Sequence, residues 1–322
     1  MTRTMQVRFD GEAAIVTGAG GGMGRCYALE LARRGARVLV NDYGGDKSGH
    51  PGSIDRAQAV VEEIRAAGGE AIADATPVGT APAARRIAGA ALEAFGRIDI
   101  LVNNAGIALP GFLTDHGDDE VENAMRTMLL GPFALMRAVW PTMRAQRHGR
   151  ILNVSSNAAL GIGGNASYGT SKAGLLGLTI DAAIEGRGSG IHVNAVLPVA
   201  YTRLIEGIPN PAFVDWFRKH MPPEQVARAM AWFLSRECTV TGHLLVTGGG
   251  RLARLAFAEN RGALCKDISP EWVSEHWREA LDMADAAVYF EQQDEMRNHM
   301  GMFEWRDDGA PALALDEVVK AR

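Results

Sequence analysis

Two residues with complementary acid–base chemistry, Tyr168 and Lys172, stand four positions apart in a segment with a helical pattern. Side chains four apart on a helix share one face, so the phenol and the ammonium are expected to meet at one spot. A free phenol titrates at about pH 10, and a neighbouring ammonium favours its ionised form. The pair predicts general acid–base catalysis in which Tyr168 takes the proton of an alcohol and Lys172 assists.

A glycine-rich segment, residues 17–24, lies between an apolar run at 13–16 and a helical pattern at 25–34. Glycines let the backbone approach a pyrophosphate closely, and the N-terminus of the following helix directs N–H groups at it. The segment therefore predicts the phosphate-binding turn for a dinucleotide. The residues predicted to contact that cofactor are Gly18, Gly22, Met23 and Gly24.

An acidic residue, Asp42, ends the next apolar run, where its carboxylate can accept hydrogen bonds from ribose hydroxyls. The 2′-phosphate of NADP would meet like charge there, at a cost of up to about 4 kcal/mol. Arg25 could bind that phosphate, but it lies past the turn, on the helix. The sequence therefore predicts NAD as the cofactor, and it shows no cluster of metal ligands.

Short apolar runs alternate with amphipathic segments, as in strand–helix–strand units. The runs predicted as strands are residues 13–16, 38–40, 98–102, 151–154, 191–196 and 244–246. The predicted fold class is α/β, a doubly wound Rossmann-type parallel sheet with helices on both faces and a helical C-terminal extension. Residues 1–250 are predicted to hold the cofactor and catalytic sites together. Residues 251–322 are predicted to form the extension, packed on this domain or on a partner subunit.

Five motifs in this order resemble those of the short-chain dehydrogenase/reductase family. They are the glycine-rich turn, Asn103-Asn104-Ala105-Gly106, Ser155-Ser156, Tyr168 with Lys172, and residues 194–198. The resemblance covers about residues 8–250 and implies hydride transfer between NAD(H) and a secondary alcohol or ketone. It implies catalytic roles for Ser156, Tyr168 and Lys172. It also implies cofactor contacts from Asn103, Ala105, Gly106, Tyr168, Lys172, Pro198, Val199 and Thr202.

A closer likeness is to the dehydrogenase part of peroxisomal multifunctional enzymes of fatty-acid β-oxidation, which oxidises 3-hydroxyacyl-CoA with NAD. It is carried by residues 40–46, 184–187, 198–203, 248–250 and 269–277. The likeness reaches about residue 290.

Two positions depart from the family pattern. The place of the catalytic serine at the strand end matches Ser156, whereas counting back the usual interval from Tyr168 gives Ser155. A one-residue deletion in the intervening loop would reconcile them, and Ser156 is favoured. The family's helix-four asparagine, whose backbone supports a proton-relay water, falls at Met128. A change in the relay is therefore expected, without a change of reaction class.

The segment after Thr202, residues 204–221, is predicted to cover the substrate. Its apolar side chains suit an apolar substrate and equally a subunit contact; they are Ile205, Ile208, Phe213, Trp216 and Phe217. Three hypotheses follow. The chain oxidises a 3-hydroxyacyl-CoA, or it acts on a bulky secondary alcohol such as a steroid or terpene. In a different class, it is an NAD-binding scaffold or redox sensor without turnover.

Composition argues against several other partners. The 322 residues are 47% hydrophobic and carry a net charge of -5, so nothing in the charge attracts nucleic acid or an anionic membrane. No apolar run reaches the roughly 18–20 residues that span a bilayer. The well-separated Cys26, Cys238 and Cys265 predict buried free thiols in a reducing compartment. With no secretory signal and no peroxisomal tripeptide, the sequence predicts a cytoplasmic enzyme of small molecules, assembled as a homodimer or homotetramer.

Overall fold

The computed structural model describes residues 6–45, 52–107, 109–206, 208–265 and 267–302. The chain divides after Leu255 into two compact units, Met1–Leu255 and Ala256–Arg322. Residues 303–322 of the predicted extension lie outside the described residues.

Strands and helices alternate along the first unit. Its first half contains β1 (Ala13–Thr17), α1 (Gly22–Arg33), β2 (Arg37–Asn41), α2 (Asp55–Ala66), β3 (Ala71–Asp74), α3 (Ala81–Phe95) and β4 (Ile100–Asn103). Its second half contains α4 (Asp118–Met125), α5 (Gly131–Gln146), β5 (Gly149–Val154), α6 (Ala166–Gly186), β6 (Ile191–Pro198), α7 (Arg203–Glu206), α8 (Pro211–His220), α9 (Pro223–Leu234), β7 (Leu244–Gly248) and β8 (Arg251–Leu255).

These strands form one sheet in the order β3-β2-β1-β4-β5-β6-β7-β8. The first seven are parallel, and β8 pairs antiparallel with β7 at the edge. The predicted fold class is therefore confirmed, with two strands, β3 and β8, that the apolar pattern did not indicate. Residues 251–255, assigned from sequence to the extension, pair with β7 instead. The strand order reverses between β1 and β4, the point where ligands bind in sheets of this kind.

The core consists of a layer on each face of the sheet, because side chains alternate along every strand. In β1, Ala14 and Val16 join one layer. Ala13 and Ile15 join the other. Helices α1, α2 and α9 supply apolar side chains to the first layer, and α3 and α5 to the second. Burial on both faces explains why these strands read as continuous apolar runs.

One buried cation, Arg150 at the start of β5, holds together the turns at the amino edge of the sheet. Its guanidinium donates to the main-chain carbonyls of Ser235 at 2.9 Å, Gly190 at 3.1 Å and Cys238 at 3.2 Å. Burial lowers the pKa of Arg150 from its ordinary value. These carbonyls satisfy donors that would otherwise be buried without partners.

A chain of buried polar side chains links two central strands to α6. Asn103 of β4 donates to Asn153 of β5 at 2.8 Å, and Asn153 donates to the hydroxyl of Thr179 at 2.9 Å. Thr179 lies two helical turns after Lys172 on the buried face of α6. These hydrogen bonds therefore fix α6, the helix that carries Tyr168 and Lys172, against the middle of the sheet.

The second unit contains β9 (Ala258–Glu259), α10 (Pro270–Ala280), β10 (Ala287–Val288) and α11 (Gln292–Met302). The two short strands pair antiparallel. Helix α10 begins after Ser269, whose side chain accepts a hydrogen bond from the Trp272 N–H at 3.1 Å. The described part of the predicted extension thus contains two helices, together with a short strand pair that the sequence did not indicate.

Cys26 and Cys238 are free and buried, as predicted, whereas Cys265 is free and only partly buried. No described helix is long and apolar enough to cross a membrane. The described residues also contain no group of three or more His, Cys, Asp or Glu placed to hold a metal ion.

Candidate active site

A cavity of about 320 Å³ opens at the carboxyl ends of the central strands. It gathers most of the residues predicted from sequence to form the site, which are Gly18, Gly22, Met23, Asp42, Ala105, Gly106, Ser156, Tyr168, Lys172, Pro198, Val199 and Thr202. Two predicted residues, Gly24 and Asn103, do not line it. Gly24 packs against the carbonyl of Gly18 within the turn, and the buried side chain of Asn103 donates to Asn153.

The glycine-rich turn brings three segments of backbone into contact. A Cβ on Gly24 would lie 2.1 Å from the carbonyl oxygen of Gly18, and a Cβ on Gly18 would lie 2.8 Å from the Cα of Ala105. Glycine is therefore needed at both positions for the turn to pack.

The start of α1 is suited to a phosphate group. The helix begins at Gly22 after Gly21, so no side chain caps its first turn, and that turn contains no acidic residue. Added Cβ atoms on Gly21 and Gly22 would meet nothing within 4 Å. Unpaired N–H groups at an uncapped helix N-terminus bind anions, so this cradle fits the pyrophosphate of a dinucleotide.

Thr17 and Asn104 fix this turn to the end of β4. The Thr17 hydroxyl accepts hydrogen bonds from the main-chain N–H groups of Asn104 at 3.0 Å and Ala105 at 3.1 Å. In return, the Asn104 amide donates to the carbonyls of Thr17 at 2.9 Å and Gly18 at 3.1 Å. These hydrogen bonds thus hold together the carboxyl ends of β1 and β4, the strands on either side of the switch point.

The Asp42 carboxylate lies on the rim of the cavity and is oriented by two main-chain donors. Its Oδ2 accepts from the N–H of Gly20 and its Oδ1 from the N–H of Gly44, both at 2.8 Å. A carboxylate has about four acceptor positions, so room remains for a ribose hydroxyl.

Two arginines are near the turn. Arg25, which the sequence offered as a phosphate ligand, forms an ion pair with Glu63 at 2.6 Å and does not line the cavity. Arg56 was not considered from sequence; its guanidinium donates to the carbonyl of Gly45 at 3.3 Å, beside the Asp42 loop.

The two adjacent serines have different partners. The Ser155 hydroxyl is buried and donates to the main-chain carbonyl of Lys172 at 2.7 Å. The Ser156 hydroxyl is half-buried and lowers the pKa of Tyr168 through a hydrogen bond. It also accepts from the N–H of Ala158 at 3.2 Å, which starts a short 3₁₀ turn, Asn157–Leu160. Ser156 is therefore the serine that meets the phenol, even though the loop to Tyr168 is one residue shorter than the family interval.

Tyr168 and Lys172 lie together as their spacing predicted, with the Lys172 Nζ 5.6 Å from the centre of the Tyr168 ring. Their electrostatics differ from the sequence expectation that the ammonium would lower the pKa of the phenol. Burial raises the pKa of Tyr168, and the opposing influence comes from Ser156. Lys172 is only 3% exposed, and burial lowers its pKa to about 8. Its Nζ donates to the Val154 carbonyl at 2.7 Å.

Met128 lies in a π-helical turn, Arg126–Leu130, between α4 and α5. It is buried with Ile107 and Leu109 in a small apolar cluster against which Tyr168 packs. The wall behind the phenol is therefore apolar, where the family pattern has an asparagine.

The predicted lid contains α7 and α8. Ile205 and Phe217 line the cavity, whereas Ile208, Phe213 and Trp216 are exposed. The lid thus contributes two apolar side chains to the site and leaves three facing solvent. Gly207 lies outside the described residues.

Several cavity residues were missed from sequence. Those absent from the predicted set are Gly21, Asn41, Tyr43, Gly45, Val78, Asn104, Ile107, Thr127, Val154, Ser155, Asn157 and Ala200. Asn104 had a signal, since it belongs to the Asn103–Gly106 motif. Val78 had none, because β3, which precedes it, was not predicted.

The sequence model for short chain dehydrogenases matches residues 12–204, so the chain belongs to this family. Members of the family are oxidoreductases, and the chain is accordingly an enzyme that interconverts hydroxyl and keto groups with a nicotinamide cofactor. The resemblance predicted from the five motifs is confirmed.

Three similar proteins define its relationships further. Peroxisomal multifunctional enzyme type 2 of Mus musculus is 38% identical over 286 residues, which cover 87% of this chain but only 38% of the mouse protein. A short-chain type dehydrogenase/reductase of Mycobacterium tuberculosis is 38% identical over 276 residues, covering 85% of this chain and 95% of that protein. A solved 7α-hydroxysteroid dehydrogenase complexed with NADH and 7-oxoglycochenodeoxycholic acid has a TM-score of 0.69 at 30% identity, covering 78% of this chain and 98% of its own.

Proposed function

We propose that this enzyme oxidises the secondary hydroxyl of a 3-hydroxyacyl thioester with NAD. The observation that carries the proposal is the meeting of Ser156, Tyr168 and Lys172 in one cavity with an uncapped helix N-terminus and a fixed carboxylate. That set supplies an acid–base pair, a hydroxyl donor and a dinucleotide cradle.

Tyr168 acts as the general base. Its phenolate takes the proton of the substrate hydroxyl, and Ser156 donates a hydrogen bond to the substrate oxygen as its charge changes. Lys172 lies beside the phenol, with its Nζ 5.6 Å from the centre of the Tyr168 ring, and is placed to contact the bound cofactor as the family resemblance implies. A bound nicotinamide would supply the hydride acceptor for the carbon that carries the substrate hydroxyl.

The cofactor would be held by the three segments that meet at the switch point. The start of α1 would bind the pyrophosphate, and Asp42 the hydroxyls of the adenosine ribose. Gly106, Lys172 and Val199 line the same cavity as Tyr168. We favour NAD over NADP because Asp42 presents charge to a 2′-phosphate and Arg25 is paired with Glu63.

The substrate class follows from the relatives and the cavity. The mouse protein's name describes a multifunctional peroxisomal enzyme, and the likeness to its dehydrogenase unit was already evident from the sequence. Ile205 and Phe217 give the cavity an apolar cover, which suits an acyl chain. The same cover suits a bulky secondary alcohol, and the likeness to a hydroxysteroid dehydrogenase favours this second candidate.

The test is formation of NADH by the purified chain, with a 3-hydroxyacyl-CoA and a cyclic secondary alcohol compared under the same conditions. Tyr168→Phe should lower kcat by about a hundred- to ten-thousand-fold, because it removes the base. NAD binding by the variant, measured by calorimetry, should persist. Turnover of the alcohol alone would favour the second candidate, and undiminished turnover by Tyr168→Phe would refute the assigned roles.

Self-association and cellular location belong to the same proposal. We expect a homodimer or homotetramer, supported by exposed apolar side chains around α5 such as Leu130 and Phe133. Light scattering at several protein concentrations measures the mass directly. The cytoplasmic location stays a prediction, set against a relative that is named peroxisomal.

A further inference from the structure

Two loops beside the cavity carry large apolar side chains that face solvent. Phe112 and Leu113, in the loop before α4, are 72% and 80% exposed. Leu160 and Ile162, in the loop that leads into α6, are 68% and 61% exposed. We call these four side chains the apolar ledge. A group of large apolar side chains on a surface is typical of a binding site rather than of ordinary exposure.

The backbone joins the two loops into one surface. The N–H of Gly111 donates to the carbonyl of Gly164 at 2.9 Å, and Gly111 forms a parallel bridge with Asn165. Phe112 follows Gly111 directly, and Ile162 lies two residues before Gly164. The ledge is therefore assembled by main-chain pairing between its loops.

Both loops of the ledge connect along the chain to residues at the candidate active site. In the first loop, Ile107 and Leu109 are buried in the cluster against which Tyr168 packs. The second loop begins at Ser156, whose hydroxyl accepts from the N–H of Ala158 at 3.2 Å. The exposed side chains of both loops therefore follow, within a few residues, positions that pack on Tyr168 or line the cavity.

Charge distinguishes the ledge from another part of the rim. Acidic residues follow the ledge along the chain, and they are Asp115, Asp118, Asp119 and Glu120. Basic residues follow the cavity-lining Phe217 in the last turn of α8: Lys219, His220 and Arg218, of which Arg218 is paired with Asp215. A molecule with an apolar tail and an anionic head therefore has one favourable orientation.

We propose that the apolar ledge binds the distal hydrocarbon of a long-chain acyl thioester, with the phosphate-bearing head group toward the end of α8. The proposal rests on the proposed function and assigns chain-length selectivity to Phe112, Leu113, Leu160 and Ile162. An anionic membrane surface fits the ledge poorly, because the acidic residues beside it would repel the lipid head groups.

The test compares short and long substrates in the full chain. The kcat/KM of NADH formation is measured with 3-hydroxybutyryl-CoA and 3-hydroxydodecanoyl-CoA, in wild type and in the double variants Phe112→Ser/Leu113→Ser and Leu160→Ser/Ile162→Ser. The long-chain substrate should be favoured in wild type through a lower KM. Each double variant should reduce that preference about tenfold, because less apolar surface is buried against the tail.

Ile184→Ser is the matched control, since Ile184 is an exposed apolar residue at the far end of α6. It should keep the wild-type ratio of long-chain to short-chain kcat/KM. Ledge variants that keep that ratio would overturn the proposal. A change in the mass of the protein by light scattering in both ledge variants would also overturn it, because the ledge would then be a subunit contact.

Binding separates this proposal from the proposed function. Dodecanoyl-CoA and butyryl-CoA have no hydroxyl to oxidise, so calorimetry reports their affinity without turnover. If no 3-hydroxyacyl-CoA is oxidised, the proposed function fails, while a preference for dodecanoyl-CoA that the ledge variants lose still supports the ledge. Equal affinity of wild type for both thioesters would refute the ledge even in an active enzyme.

Discussion

The hydroxyl of Ser155 donates to the main-chain carbonyl of Lys172, at 2.7 Å. The Lys172 ammonium donates in turn to the carbonyl of Val154, also at 2.7 Å. The end of β5 and the residue after it thus hold both the backbone and the side chain of Lys172. Of the two adjacent serines, Ser155 bonds to the backbone of α6, whereas Ser156 lowers the pKa of the Tyr168 phenol.

The division between the serines predicts distinct effects of two alanine variants. Oxidation needs the phenolate of Tyr168, whose pKa is raised by burial and lowered by Ser156. The oxidation rate should therefore rise with pH. Ser156→Ala should lower kcat and move the rising limb of the pH–rate profile to higher pH.

Ser155→Ala is the control for that experiment. It should cost about 1 kcal/mol of folding free energy, the net value of one hydrogen bond, and leave the rising limb where it is in wild type. A pH–rate profile displaced by Ser155→Ala but unaffected by Ser156→Ala would reverse the assignment.

Lys172 should oppose folding near neutral pH. Burial lowers its pKa to about 8 in the folded protein, whereas the unfolded chain keeps the ordinary value of about 10.4. The protonated folded form is therefore penalised below pH 8, and the penalty disappears as pH rises through about 10.4. Lys172→Met should abolish turnover yet raise the free energy of unfolding by up to about 3 kcal/mol near pH 7.

Urea denaturation near pH 7 and near pH 10 measures this effect, with Lys219→Met as the control at an exposed lysine. The stabilisation by Lys172→Met should shrink at the higher pH, and Lys219→Met should change little at either. Equal stabilisation at both pH values would show that packing, not charge, is responsible.

Asp42 should decide between the two nicotinamide dinucleotides. Asp42→Asn removes the charge and keeps an oxygen for one of the two main-chain donors, the N–H of Gly20, while the hydrogen bond from the N–H of Gly44 is lost. The ratio of kcat/KM for NADP to that for NAD should rise about ten- to hundredfold. Arg25→Ala should leave the ratio near its wild-type value, because Arg25 is paired with Glu63. A ratio that falls in Asp42→Asn would contradict the cofactor assignment.

Met128 should keep the wall behind Tyr168 dry. Met128→Leu conserves volume and should cost less than about 1.5 kcal/mol, with an unchanged pH–rate profile. Met128→Asn places a polar group near the phenol and the ammonium, which favours their charged forms. The rising limb of the oxidation profile should then move to lower pH. The same shift in both variants would point to altered packing instead.

Much of the site could be read from sequence because local patterns encode it. The glycine-rich turn, Asp42, Tyr168 and Lys172 each lie at the end of an apolar run or in one helix, and parallel strands bring such ends to one edge. The fold class followed from the same alternation. Most of the missed cavity residues lie at or just after the same predicted strands, at positions whose residue types carried no chemical signal, whereas Val78 follows β3, which the apolar pattern did not indicate.

Other features needed the three-dimensional arrangement. The choice between Ser155 and Ser156 depends on which side of β5 each faces, and no spacing rule resolved it. The raised pKa of Tyr168 depends on how much of the phenol is buried, which its neighbours in sequence do not determine. The apolar ledge depends on a backbone pairing between Gly111 and residues 164–165, more than fifty positions along the chain.

The guanidinium of Arg150 donates hydrogen bonds to the carbonyl of its neighbour Gly149 and to carbonyls in turns far apart in sequence, at Gly190, Ser235 and Cys238. If any one of these turns unfolds, the buried guanidinium of Arg150 loses a hydrogen-bond acceptor. The turns at the amino edge should therefore open together with the central strands, as one cooperative unit. In native-state hydrogen exchange, their protected amides should exchange only through global unfolding, while the loops around the substrate open independently.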